Sequence, residues 1–464
     1  MRPHVLLVNL PHPERLQRRW VASYQAPNFL VPPTELMGLD ALLRGRGVAD
    51  VTLVDAIAEG LGTSGVVGLC GSHAPTLIVA LAGFGSLAQD LDELASLKAA
   101  IPGAITAIFG HLPTTTPEPI GRHPGVDLVI RGEAEQTLLA LCEALDAGRR
   151  EWTGIPGLAW IEDGRLVLTT ERPRIQDLDA LPFPDHTRIA LKHYGEPFLP
   201  GPIGAVTSAR GCPYSCAFCV RAYGQEMAWR SASSLIEELR AQRRIGIRHV
   251  RFLDDTFTLD RKRVLALCVA LQEADLRITW SCLTRLDRLD EELCRAMARA
   301  GCRRAYVGIE SADEAQRDTM SKGLGPAAIP GGAAALRSAG IEVSGFFVVG
   351  EDAASVAEAR RSADLAVSLG LDYVIATRLQ VWPGTALWTD EAALDPSGLP
   401  TGRRVGAPGA SGFAAERALY RRFYSHPRTL ARHLGRSVRH PRTTARSAAA
   451  LLTWAASSAT RDFI

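Results

Sequence analysis

The chain of 464 residues contains no long apolar run. No segment reaches the roughly 18 to 20 apolar residues that a membrane span requires. The opening Met-Arg-Pro-His-Val-Leu-Leu-Val-Asn has an apolar stretch far too short for a signal peptide. The chain also lacks an excess of either charge. Lys and Arg number 52 against 50 Asp and Glu, a formal net charge of +2, so bulk electrostatics gives no reason to expect nucleic-acid binding. No Gly-x-Gly-x-x-Gly follows the first apolar strand, which leaves a nicotinamide or flavin dinucleotide site unsupported. A secreted disulfide framework is missing too: of nine cysteines, three fall within eight residues, and a reduced cytoplasmic compartment suits them. What remains is a length that calls for two or three domains.

The clustered cysteines are Cys212, Cys216 and Cys219, at spacing Cys-x3-Cys-x2-Cys in Ser208-Ala-Arg-Gly-Cys-Pro-Tyr-Ser-Cys-Ala-Phe-Cys. Three thiolates in one short loop can wrap a soft metal centre, iron in a sulfide cluster or zinc. A structural zinc site closes with a fourth protein ligand, and none is offered here. On a four-iron cluster, the same shortage leaves one iron open. The other six cysteines, Cys70, Cys142, Cys268, Cys282, Cys294 and Cys302, are expected to fill cores as small apolar residues.

Upstream, apolar strands alternate with helices. His4–Leu10, Val51–Asp55, Leu77–Leu81, Ala104–Phe109 and Val126–Ile130 read as buried strands. Helices are expected over Thr34–Arg46, near 86–100 and over Glu135–Ala147. The pattern is an α/β, Rossmann-like doubly wound sheet over residues 1–150, which takes ligands beyond the carboxyl ends of its strands. A connector over 151–200 carries a hairpin turning at Asp163-Gly164 and an extended Pro182/Pro184 segment. Over 201–390, six strand–helix units predict a partial (β/α)6 barrel with its site at the carboxyl ends of the strands. A capping box starting at Ser234 is expected to open the first of its helices. Asp254 and Asp255, Arg285, Glu310 and Ser311, Gly350 and Glu351, and Trp382-Pro-Gly-Thr385 follow successive strands. Residues 391–464 form a basic helical tail, with twelve arginines and two acidic residues from 403 onward. It is expected to cap the barrel, with peripheral membrane contact through a basic amphipathic face as the alternative.

The cysteine motif with Phe218 beside its last member resembles the radical S-adenosylmethionine superfamily. Arg131-Gly-Glu-Ala-Glu-Gln-Thr-Leu-Leu and Gly110-His-Leu-Pro-Thr resemble loops of its cobalamin-binding branch, and the likeness runs over roughly residues 1–390. It implies a 4Fe-4S cluster on Cys212, Cys216 and Cys219, with S-adenosylmethionine chelating the open iron. It implies contacts from Asp254 and Asp255 to the methionyl amine, from Glu310 and Ser311 to the ribose or methionyl end, and from the backbone beside Phe218 to adenine. It also implies cobalamin held by Gly110, His111, Thr114, Gly132 and Glu133. The Asp-x-His-x-x-Gly motif that supplies a cobalt ligand elsewhere is absent. His111 is the one alternative ligand, although a strand-end histidine more commonly hydrogen-bonds within its loop. Where the branch often reads Gly-x-Pro-Gly-Glu-Thr, this chain has Gly350-Glu-Asp-Ala-Ala-Ser355, so no role is carried to Gly350 or Glu351. No second cysteine triplet supports a methylthiotransferase.

The family chemistry is one-electron cleavage of the sulfonium to a deoxyadenosyl radical, which abstracts hydrogen from carbons no side-chain base can deprotonate. The expectation is a cobalamin-dependent C-methyltransferase acting on a small specialised metabolite or lipid, with an external electron donor such as flavodoxin or ferredoxin. Radical rearrangement, cyclisation or ring contraction without methyl transfer is the first alternative, and a non-catalytic metal- or cobalamin-binding protein the second.

Overall fold

A computed structural model describes residues 2–19, 23–25, 29–71, 74–196, 198–350, 353–389, 392–404 and 413–439. Its first sheet holds β1 (His4–Asn9), β2 (Asp50–Asp55), β3 (Leu77–Leu81), β4 (Ile105–Phe109), β5 (Leu128–Ile130), β6 (Leu158–Glu162) and β7 (Arg165–Leu168), in the order β2-β1-β3-β4-β5-β6-β7. The first five strands are parallel and β6 and β7 antiparallel. The sheet therefore continues past residue 150: the connector's hairpin is its outer edge. The central strands β1, β3 and β4 are largely apolar and buried because helices cover both faces of the sheet. Val5 and Leu7 face Leu36, Leu39, Leu138 and Leu141 of α1 (Thr34–Arg46) and α3 (Ala134–Asp146). Leu6 and Val8 face Leu87, Leu91 and Leu94 of α2 (Leu87–Ala100).

The second sheet is a row of six parallel strands, β8 (Ile203–Val206), β9 (His249–Phe252), β10 (Thr279–Thr284), β11 (Cys302–Glu310), β12 (Glu342–Val349) and β13 (Tyr373–Arg378), paired in chain order. Period-2 alternation sorts their side chains. Val250, Phe252, Trp280, Cys282, Val307, Ile309 and Val349 join the shell core with α4 (Ala232–Arg244), α5 (Arg261–Ala274), α6 (Glu291–Arg299), α7 (Ala328–Ser338) and α8 (Ala353–Leu369). The intervening residues point into the lumen. Helix α4 begins one turn before the expected capping box: Ser231 is the N-cap, its hydroxyl accepting from Ser234 N. The six scattered cysteines are all buried and free, as their apolar settings predict.

Of the tail, α9 (Phe413–Tyr424) and α10 (Pro427–Arg439) are described, while the Ala448–Ala459 stretch lies outside the described residues, as does Glu351. Leu419 and Phe423 enter the barrel core. The Tyr420 and Tyr424 hydroxyls accept from Ala376 N and Val374 N, satisfying donors on the edge strand β13. No described helix is long and apolar enough to cross a membrane.

Candidate active site

The cysteine loop is closed at its base. Ala209–Arg210 pairs antiparallel with Ala228–Trp229, Cys212 N donates to Gly224 O at 3.1 Å, and Cys219 N donates to Cys216 O at 3.1 Å. Gly211 has φ +100°, and a Cβ there would collide with the Glu226 carbonyl oxygen, so only glycine fits. Two further bonds tie the loop to the barrel rim: Ala217 N to Met320 O at 2.9 Å and Leu387 N to Ala217 O at 3.1 Å.

Cys212 and Cys216 are buried and Cys219 half-buried. Burial pushes the Cys219 thiol up to about 12, reinforced by Asp255, Cys216 and Cys212, while Lys322 works the other way. Burial also raises Cys212, with Asp255 again adding to the rise. The three sulfurs thus share one space with Asp255 and Lys322. Among the described residues, no three His, Cys, Asp or Glu side chains converge on a single-ion site. A cluster does not require that, because each thiolate takes a separate iron. Two cations face the thiols. Arg285 Nη1 lies 4.0 Å from Cys216 Sγ, and its guanidinium is fixed by Asp287 (3.0 Å), Lys322 O (2.9 Å) and the Tyr214 ring (3.9 Å). Lys322 Nζ donates to Glu310 Oε1 at 2.7 Å and lies 6.0 Å from the Phe218 ring. Burial opposes the Lys322 charge, but Glu310 outweighs it, leaving the ammonium above its ordinary pKa. Three free thiols with cations beside them form a donor set that fits an anionic thiolate cluster.

The expected S-adenosylmethionine contacts divide into two groups. Asp254 accepts from Ser208 N (2.7 Å), Ala209 N (3.1 Å) and the Ser208 hydroxyl, so both its oxygens hold the chain leading into the cysteine loop. Asp255 makes no hydrogen bond or ion pair among the described residues, and burial pushes its carboxyl up to about 7, with Arg19 opposing and Asp254 adding to the shift. Glu310 sits at a register shift in β11 with φ +70°, a conformation few non-glycine residues hold. The Glu310–Lys322 pair packs over Gly308, where a Cβ would meet both side chains. The Ser311 hydroxyl donates to Glu358 on α8 (2.6 Å) and accepts from Asp313 N (2.8 Å). Asp255, Glu310 and Phe218 are therefore at the thiol face, while Asp254 and Ser311 support it from behind.

The residues expected to hold cobalamin gather at the carboxyl ends of β4 and β5. Gly110-His-Leu-Pro-Thr turns into a short helix, His111–Thr115, rather than an open loop. The Thr114 hydroxyl donates to Gly110 O (2.8 Å) and accepts from Gly132 N (2.9 Å). His111 is buried and stacked on Phe84 (5.6 Å), with Nε2 2.8 Å from Pro383 O, which assigns the proton to that nitrogen. Burial lowers its pKa. Phe84 also meets Trp382 edge-on at 5.4 Å, so the loop leaving β13 is seated on the first domain.

Glu133 and Glu135 hold Arg210, two residues before Cys212, at 2.8 and 2.5 Å, and Glu133 also accepts from Ile175 N at 2.5 Å. Arg210 lies 5.0 Å from the Tyr223 ring. Behind this clamp is a cavity of ≈ 80 Å³ lined by Thr34, Gly38, Phe109, Glu133, Arg210 and Tyr223, and no cysteine reaches it. Sequence reasoning missed Lys322, Glu135 and the role of Arg210. The one available signal was the acidic pair in Arg-Gly-Glu-Ala-Glu opposite a lone arginine beside the cysteines.

Residues 206–363 match the model of the Radical SAM superfamily. An uncharacterized methyltransferase of Pyrococcus horikoshii is 32% identical over 363 residues, 77% of this chain and 78% of that one. An anaerobic magnesium-protoporphyrin IX monomethyl ester cyclase of Rubrivivax gelatinosus is 27% identical over 301 residues, 63% of this chain and 54% of the cyclase. Among solved structures, the radical S-adenosylmethionine methyltransferase TsrM of Kitasatospora setae, with cobalamin and a [4Fe-4S] cluster bound, superposes at TM-score 0.68 and 17% identity, covering 90% of this chain and 85% of TsrM.

Proposed function

The chain belongs to the Radical SAM superfamily, and from that premise we propose that it is a cobalamin-dependent enzyme that methylates an unactivated carbon of a small specialised metabolite or lipid. The observation that carries the reading is the set of three free thiols at the barrel rim, flanked by Arg285 and Lys322. Cys212, Cys216 and Cys219 would hold three irons of a 4Fe-4S cluster and leave the fourth for S-adenosylmethionine. Bound there, these groups supply one-electron reduction of the sulfonium, and cobalamin supplies a transferable methyl group.

The chain's own residues prepare that space. Arg285 and Lys322 offset the negative charge that thiolates and sulfides bring into a half-buried site. Asp255, without an internal partner, is suited to accept from an ammonium group, and Glu310 is steadied by Lys322. At the first sheet, His111 Nε2 is committed to Pro383, which supports cobalamin held without a histidine on cobalt. Electrons from flavodoxin or ferredoxin belong to the same proposal. The described part of the tail supports a covering role, since its buried residues are committed to the barrel edge.

The test is anaerobic reconstitution followed by incubation with methyl-labelled S-adenosylmethionine, reductant and candidate substrates. Label in the product supports methyl transfer. Deoxyadenosine without label transfer favours the second reading, a radical ring closure, which the likeness to the cyclase keeps open. Neither label transfer nor deoxyadenosine would leave a non-catalytic binding protein.

A further inference from the structure

On β9, whose carboxyl end leads to Asp254 and Asp255, the inward positions are Arg251 and His249, since Val250 and Phe252 belong to the shell core. The register places Arg251 beside Ser281 and Ser281 beside Arg304. Arg251 is 5% exposed, its guanidinium lies 4.3 Å from the Tyr306 ring, and Nη1 is enclosed with no hydrogen-bond partner among the described residues. The two carboxylates of this floor are used elsewhere. Arg304 takes Glu342 at 2.6 Å and Glu196 at 3.3 Å. His249 is occupied by Thr279 and Ser281, and it offers no negative charge.

The floor is closed from below. Phe198 stacks on Tyr373 at 5.7 Å, His433 of α10 meets Tyr373 at 5.5 Å, and Glu196 reaches Ser281 at 3.5 Å. Above, inward side chains keep some access to solvent: Leu283, Phe346 and Ile375, on β10, β12 and β13, are each half-buried. Tyr306 joins the two layers, with Arg251 on its face and Phe346 at 6.0 Å. A guanidinium cannot escape burial by losing its proton. Enclosed donors without acceptors are unfavourable unless a ligand or water satisfies them. The same group is well shaped for bidentate pairing with a carboxylate or phosphate.

We propose that Arg251 is the anion-recognition residue of the substrate site: the substrate is amphiphilic, its apolar body lying against Leu283, Phe346 and Ile375 and its carboxylate or phosphate paired with Arg251. This rests on the enzymatic reading above and deepens it by naming the substrate's chemistry. The experiment titrates the reconstituted, S-adenosylmethionine-loaded enzyme calorimetrically with hexyl phosphate, hexanoate and hexanol. The wild type binds at least one of the anions saturably and at least tenfold more tightly than hexanol, and the tighter arm distinguishes phosphate from carboxylate. Arg251→Met brings anion binding down to the hexanol level, whereas Arg251→Lys retains part of it. Circular dichroism and iron content check each variant. If Arg251→Met does not fold, the wild-type preference for anion over hexanol and its weakening in Arg251→Lys decide the matter. Equal binding of anion and alcohol by the wild type, or unchanged anion binding in the folded variants, overturns the proposal. Deoxyadenosine formation by the same wild-type preparation reports separately on the parent reading: cleavage without anion preference removes only the anion site.

Discussion

Lys322 and Glu310 form an ion pair with little access to water, 10% and 6% side-chain exposure, beside the thiols. Removing one partner leaves the other charge buried alone, which destabilises by about 3–5 kcal/mol. Lys322→Met is therefore expected to lower unfolding stability by that order in denaturant melts of the cluster-free protein. Adding Glu310→Gln should recover part of the loss, and a strictly additive double variant would contradict the coupling. Asp254 and Asp255 show what adjacent residues of one type can do at a strand end. The residue at the barrel wall holds Ser208 and Ala209, while its neighbour, beside the thiols, has no hydrogen bond or ion pair among the described residues. Asp254→Asn should chiefly disturb the cysteine loop, lowering bound iron, and Asp255→Asn should chiefly weaken S-adenosylmethionine binding with iron retained. Equilibrium dialysis alongside iron assays separates the two, and matching effects in both variants would oppose the division.

At the scale of elements, the cysteine loop is positioned by contacts distant in sequence. Gly211→Ala leaves every sulfur in place, yet it demands a positive φ and a backbone collision. It should cost most of the iron uptake on reconstitution, whereas normal uptake would show that the loop reaches its cluster-binding form another way. Arg210→Met removes the partner of Glu133 and Glu135 and should likewise lower iron uptake, by separating the loop from the first sheet. The strand–helix order and the cysteine spacing were legible in the sequence because both are local patterns. The partners of Arg210, Ser311 and Lys322 were not. Glu133 is 77 residues from Arg210 and Glu358 is 47 from Ser311, and neither interval carries a periodic signal. The short helix after Gly110 was hidden for a different reason, since Pro113 inside its five residues argues for a loop.

For the whole molecule, the two halves of the chain meet at a few seams: the Arg210 clamp, the Asn9–Asp55–Tyr194 hydrogen-bond chain (2.7 and 2.8 Å), and Trp382 in the first domain's core. Trp382→Ala should reduce stability by about 3–5 kcal/mol and split a single calorimetric transition into two, while one undivided transition would show that the other seams suffice. The two-domain architecture was legible from alternating apolar strands. The seating of the barrel's last loop on His111 and Phe84 was not, because it joins residues some 270 apart. On the reading proposed above, the Cys212–Cys216–Cys219 loop holds a cluster whose fourth iron is open to S-adenosylmethionine. It is tested most directly by electron paramagnetic resonance of the reduced, reconstituted enzyme with and without S-adenosylmethionine. With about four irons bound, the expected result is a cluster signal whose g-values shift on adding S-adenosylmethionine and which is absent from the triple cysteine-to-alanine variant. A full cluster whose spectrum does not respond to S-adenosylmethionine would contradict it.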